Sequence, residues 1–195
     1  MPHHAPTTRL KTCLLAGATL LHLSAALAES PPIKPGLWEV TTSSPQINGQ
    51  TMPDMSAQMA EQMKKMPPQM RQQIEAQMKA KGVQMAPAGG GGMAVRVCIT
   101  QEALAQNRWQ QTEGRCQNTA MNKSGATWTW SFTCTEPPAS GEGRTTFQGN
   151  EAYVNELHMN TERKGKPMST VMTHRGKWLS ADCGGLKPAG SPPKP

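Results

Sequence analysis

From residue 30 onward the chain alternates. "LWEVTTS" at 37–43 sets a bulky side chain at every second position, and "VRVCIT" at 95–100 puts Val95, Val97 and Ile99 on one face. A period of two is the mark of a half-buried β-strand. The clearest case is "ATWTWSFTC" at 126–134, where Trp128, Trp130, Phe132 and Cys134 share one side and Thr127, Thr129, Ser131 and Thr133 the other. Residues 115–121 precede it across "NKSG", in which Gly125 suits the left-handed conformation of a short hairpin loop. "GRTTFQG", "AYVNELHMNTE" and "PMSTVMTHRGKWLS" predict three further strands, the last two joined around "RKGK". "GEGR" at 141–144 reads as a turn between strands rather than an anion loop. The pattern predicts a mainly β protein, either an antiparallel meander sheet or a small, partly open barrel.

A different period breaks in between the first two strands, over about residues 45–94. Met55, Met59 and Met63 recur every four positions, Pro67 and Pro68 interrupt the run, and Met70, Ile74 and Met78 repeat the spacing as far as Gly82. Two short amphipathic helices are predicted. Pro68 suits a first helical turn, Gly82 a C-cap, and Lys79 and Lys81 the negative end of the helix dipole. "APAGGGG" then returns the chain flexibly to the sheet.

The N-terminus is of another kind. Arg9 and Lys11 precede an apolar run from Cys13 to Ala28, closed by Ala26-Leu27-Ala28, the small-x-small pattern of a signal-peptidase site. Residues 1–28 are therefore predicted to be a signal peptide, with Glu29 as the new first residue. The run is interrupted by His22 and is short against the ~20 residues of a membrane span, so no anchor is expected in the mature protein. Cys13 stands at the start of the apolar run, not after it as a lipoprotein cysteine does. The expected product is periplasmic or secreted, with one domain at 29–185 and a disordered Pro-rich tail, "KPAGSPPKP", within 186–195.

Removal of Arg9 and Lys11 with the leader lowers the formal charge from +7 to +5. The remaining charges are scattered, with no block or aromatic-interleaved stripe, and no nucleic-acid partner is expected. Four cysteines remain, Cys98, Cys116, Cys134 and Cys183, an even number in a chain bound for an oxidising compartment. None forms a C-x-x-C, so zinc binding and thioredoxin-like redox chemistry lack their usual geometry. Two disulfides are predicted. The hairpin brings Cys116 near Cys134: a three-residue loop leaves them one diagonal step apart unless a bulge intervenes, and pairing Lys123 with Thr127 sets them opposite. Cys98 and Cys183 are then left to join the second strand to the end of the last.

Candidate chemistry is sparse. Thioethers are soft ligands that select copper(I), which makes Met55, Met59, Met63, Met66 and Met70 the metal candidates. The same spacing is what an apolar stripe requires, and no histidine lies between His22 and His158, so packing is the favoured reading. No cofactor is expected. His158 and His174 both fall on predicted strands without a nucleophile or ligand motif beside them, and no enzyme is expected. Trp38, Trp128, Trp130 and Phe132 form the candidate face for a ligand or partner, with core packing as the competing role. The expected function is a non-catalytic binding or envelope-associated module for an apolar ligand or partner, with copper(I) handling as the alternative.

"PIKPGLWEVTTSS" at 32–44, the Met- and Pro-rich insert, and the later cysteines together resemble an exported family of Gram-negative bacteria, known as a domain of unknown function and recognised by a KPGLWE signature. Lys34, Pro35, Gly36, Leu37, Trp38 and Glu39 match the signature one by one, and the resemblance spans roughly residues 33–185. Cys98, Cys116, Cys134 and Cys183 fall where that family keeps cysteines. The resemblance implies export and supplies no activity, substrate or catalytic residue. From the residues themselves, Lys34-Pro35-Gly36 is a turn feeding the first strand and Trp38 its anchor, or else Trp38 and Glu39 are displayed to a partner.

Overall fold

The computed structural model describes Met1 and residues 30–88, 93–107, 109 and 115–188. The predicted leader beyond Met1, the glycine run at 89–92 and residues 189–195 of the predicted tail lie outside the described residues.

The chain forms β1 (Gly36–Thr42), β2 (Gln46–Ile47), β3 (Gln50–Thr51), α1 (Ser56–Lys65), α2 (Pro68–Ala80), β4 (Val83–Pro87), β5 (Met93–Ile99), α3 (Gln101–Ala105), β6 (Cys116–Ser124), β7 (Thr127–Thr135), β8 (Pro138–Gln148), β9 (Ala152–Arg163) and β10 (Lys166–Ser180). All ten strands belong to one antiparallel sheet in the order β4-β5-β1-β10-β9-β8-β7-β6, with the β2–β3 hairpin attached to β10. The sheet is not closed into a barrel, and β4 and β6 remain its edges. β6 to β10 form the predicted meander. β1 departs from it by lying between β5 and β10.

Short turns set the hairpin registers. Lys164 and Gly165 both take positive φ, 53° and 74°, the two-residue turn whose twist matches a hairpin, and Arg163 pairs with Lys166 across it. Between β6 and β7 the turn is Gly125-Ala126, so Ser124 pairs with Thr127. That register alone would misalign the cysteines, and a shift between Asn118 and Ala120 restores them, so that Cys116 lies opposite Cys134.

The structure differs from expectation in three regions. Two short strands and β4 fall inside the 45–94 insertion, so the helices stand between β3 and β4 rather than directly between the first two long strands. "GEGR" is not a turn: residues 141–144 run through the middle of β8. The period-two pattern persists there, but Gly141 and Gly143 occupy the apolar slots because aromatic rings of β7 fill their space. α3 follows β5 directly, its first turn capped by the Thr100 hydroxyl, which accepts from the Ala103 N–H at 3.1 Å.

One face of the sheet carries the core. Its upper part gathers Trp38, Ile99, Trp128, Phe147 and Tyr153, closed over by Ile33 and by Leu104 of α3. A second cluster lies lower, around Phe132, Cys134 and Leu157, with Met159 and Met172 against it. The other face of β7 to β10 presents Thr129, Ser131, Glu142, Arg144, Glu156 and His158, side chains suited to water. Beyond β10 the chain turns back across β5. Cys183 bonds to Cys98, Leu186 is buried and Pro188 bridges to Cys98, so residues 186–188, placed by the sequence in a loose tail, pack on the sheet.

Candidate ligand-binding site

The stretch Lys34–Glu39 is a structural tie. Trp38 is wholly buried, and its indole N–H donates to the Lys34 carbonyl at 2.9 Å; the Trp178 indole donates to the Pro35 carbonyl at 3.1 Å. The Lys34 ammonium pairs with Glu151 and lies 4.9 Å from the centre of the Trp178 ring. Glu39, on the opposite side of the strand, pairs with Arg96 at 3.4 Å. Five of the six residues thus have intramolecular roles before any partner is considered, since Gly36 is needed too: a Cβ there would stand 2.2 Å from the Ser180 carbonyl oxygen.

Trp128 and Phe132 are likewise buried in the core, and Trp130 is half-buried beside them. Their packing explains the glycines of β8. In the register, Phe132 faces Gly141 and Trp130 faces Gly143, while Tyr153 of β9 faces Gly176 of β10. Each ring lies over the bare backbone opposite; a Cβ on Gly143 would come within 2.2 Å of Trp130 Cζ2, and one on Gly176 within 2.1 Å of Tyr153 Cε1. Three aromatic–glycine pairs therefore fill the inner face, and the predicted ligand face is largely occupied by its own rings. Burial pushes the Tyr153 phenol up to about 12.

A polar seam crosses this aromatic core. Successive register partners place Thr145, Asn155, His174 and Thr42 in one row behind Trp128. Asn155 is only 7% exposed, and Thr145 Oγ1 donates to its Oδ1 at 3.4 Å. His174 Nδ1 and Thr42 Oγ1 are 2.9 Å apart, and burial holds the imidazole below its ordinary 6.5. Next to Thr145 a small cavity of about 30 Å³ is bounded by Asn107, Trp109, Asn118, Met121, Trp128 and Trp130. Of these polar members the sequence drew attention to His174 alone. The signal lay in Thr145 and Asn155, polar residues in inward slots of strands otherwise alternating cleanly.

The methionines divide. Met55, Met59 and Met70 are 60%, 51% and 51% exposed on or beside the helices. α1 packs against β5 and α2 against β4, but no residue of α2 is buried. The helices instead leave a groove of about 440 Å³ over the edge hairpin, floored by Met63, Met85, Pro87 and Met93 and rimmed by Glu61, Lys64, Arg71 and Glu75. A second groove of about 370 Å³ follows the other side of α2 past Met78 and shares Met85. Of the five predicted thioether ligands, Met63 alone lines either groove; Met85 and Met93 join it from β4 and β5.

The two histidines do not share a site. His174 faces the core, and His158 is exposed on the outward face across from Glu142. Among the described residues no group of three His, Cys, Asp or Glu side chains converges, and no helix is long and apolar enough to cross a membrane. Disulfides join Cys98 to Cys183 and Cys116 to Cys134.

Residues 33–183 match a family described as "Protein of unknown function (DUF3617)". An "Uncharacterized protein in lpd-3 5'region" of Pseudomonas putida is 36% identical over 132 residues, 67% of this chain and 87% of that protein. No solved structure matches.

Proposed function

Because the chain belongs to the DUF3617 family, whose function is unknown, its role rests on its own surfaces, and we propose that it is an exported, non-catalytic binding module that takes an apolar ligand or partner in the groove between the methionine helices and the edge hairpin. The carrying observation is α2, a 13-residue helix with the apolar stripe Met70, Ile74 and Met78 and no buried residue. Such a stripe normally gains its stability from packing against a core. Here grooves run along both sides of the helix: Met78 of the stripe lines the smaller one, Met63, Met85 and Met93 line the larger, and such flexible thioether walls adapt to greasy shapes. Charged residues rim the larger groove, as expected of a site that must stay soluble when empty.

Export is supported by the leader pattern at 1–28, by the KPGLWE-like stretch at 34–39 and by two disulfides, which persist in oxidising compartments such as the periplasm. A non-catalytic role is supported by the separation of the histidines onto opposite faces.

A second reading, copper(I) handling, draws on one observation: Met63, Met85 and Met93 bring three soft donors from three elements to one groove. Native mass spectrometry of protein purified from the periplasm separates the two. The expected spectrum carries a retained lipid-sized mass that survives Met63→Leu and is lost in Met63→Gln with Met85→Gln. A copper mass lost in Met63→Leu would establish the second reading instead, and a bare polypeptide from repeated envelope preparations would refute both.

A further inference from the structure

Two polar atoms in the core reach no partner among the described residues: Trp130 Nε1 and Asn107 Oδ1 are both buried, and neither has a hydrogen bond there. Both residues line the same cavity of about 30 Å³, at the opposite end of the sheet from the methionine groove. Buried polar groups are almost always paired, and each exception calls for a cause.

The two atoms are opposite in kind. An indole N–H can only donate, and an amide oxygen can only accept. A cation in the cavity would meet the indole hydrogen, and an anion would meet the amide oxygen; a hydroxyl satisfies both by accepting from Trp130 and donating to Asn107. The volume admits such an oxygen, since a cavity of this kind needs only about 10–15 Å³ to hold a water.

Both atoms are also held in place. Trp130 lies flat over Gly143, with Nε1 2.8 Å from where a Cβ would stand. Asn107 follows α3 with φ of 52°, the left-handed conformation that asparagine readily takes just past a helix end, and its own N–H donates to the Leu104 carbonyl at 3.0 Å, which fixes where its side chain starts. Met121, 41% exposed and opposite Trp130 in the register, supplies a flexible wall between the cavity and solvent.

We propose that this cavity is a hydroxyl-binding subsite, filled by water in the free protein or by the alcohol group of a hydroxylated apolar ligand whose body leaves past Met121. It is independent of the methionine groove, so either can fail without the other.

The test is the indole N–H region of a ¹⁵N NMR spectrum of the purified protein, with Trp130→Phe assigning the Trp130 signal among the five tryptophans. Two measurements are made on that signal: its cross-peak to long-lived water, and its movement on titration with 1-butanol, with 1-chlorobutane as the probe lacking a hydroxyl. A saturable shift with 1-butanol alone, displacing the water cross-peak, identifies the ligand alcohol; a water cross-peak that 1-butanol leaves untouched identifies resident water. Asn107→Gly keeps the positive φ while removing the oxygen, and is expected to weaken the 1-butanol response about fivefold or abolish the water cross-peak. Neither a water cross-peak nor a saturable shift in the native protein, or an Asn107→Gly protein behaving identically to it, overturns the proposal.

Discussion

Gly143→Ala tests the aromatic–glycine packing directly, because the expected sign is the reverse of the usual one. Gly143 is not among the positive-φ glycines, so its backbone accommodates alanine. At such a position the change normally stabilises by roughly 0.4–1 kcal/mol through the unfolded chain. Here the new methyl would stand 2.2 Å from Trp130 Cζ2 and 2.3 Å from Cε2, distances that real Cβ atoms do not adopt. The indole must be displaced from its seat beside Phe132, and overpacking of this kind costs about 1–3 kcal/mol. The net expectation is a loss of about 0.5–2 kcal/mol, or roughly 1–8 °C in Tm for a domain of this size. Urea denaturation with the disulfides intact measures it, with an unchanged m-value as the check that the same surface unfolds. In a Trp130→Ala background the clash is absent, and Gly143→Ala should stabilise by roughly 0.4–1 kcal/mol. If Gly143→Ala is neutral or stabilising in the native background, or has the same effect in both, Trp130 does not rest on Gly143.

Other expectations are simpler to state. Replacing Cys98 and Cys183 by serine opens a loop of 85 residues and should cost about 4–5 kcal/mol, against about 3 kcal/mol for Cys116 and Cys134 with their separation of 18; denaturation of the two double mutants showing the opposite order would contradict the loop-entropy account. His174 is held below its ordinary 6.5, so the unfolded chain protonates first as pH falls: its contribution is complete above about pH 6.5 and lost as pH drops through the lowered value. Tm should therefore fall more steeply between pH 7 and 5 in the native protein than in His174→Gln, and equal slopes would assign the dependence to other groups. Thr100→Ala, removing the α3 cap beneath buried Leu104, should cost about 1 kcal/mol, read as a lower urea midpoint.

What could be read in advance follows from how local each signal is. Alternation within β1, β5, β7, β9 and β10 is carried by each strand alone, so these appear in the sequence within a few residues of their true ends. β8 was cut short because Gly141 and Gly143 make sense only against rings on β7, and a glycine viewed without its neighbour looks like a turn. β4 and α3 have five residues each, too few for a period to show. The cysteine pairing was legible from hairpin logic, although the shift at Asn118/Ala120 that completes it was not. The methionine stripe predicted its helices correctly and said nothing of Met85 and Met93, which reach the same groove from strands. Least visible was the convergence of Asn107 and Trp130 on one cavity, since two residues with no common periodicity come together only after α3 has folded over the sheet.

The position of β1 bears on the order in which the molecule can be assembled. Its neighbours are β5 and β10, and Glu39 pairs with Lys177, close to the other end of the chain. β6 to β10 close through short turns and can zip up as each strand arrives, but the first strand has to wait for the last. During any delivery that presents the N-terminus first, by ribosome or by translocation pore, Trp38 and the backbone edge facing β10 stay uncovered until residues near 177 emerge. A chain stopped short of β10 would keep that slot open while its hairpins looked native. Full-length and truncated chains are thus distinguished at the slot β10 fills, between the edges of β1 and β9, and that is where a chaperone or protease would read whether synthesis had finished.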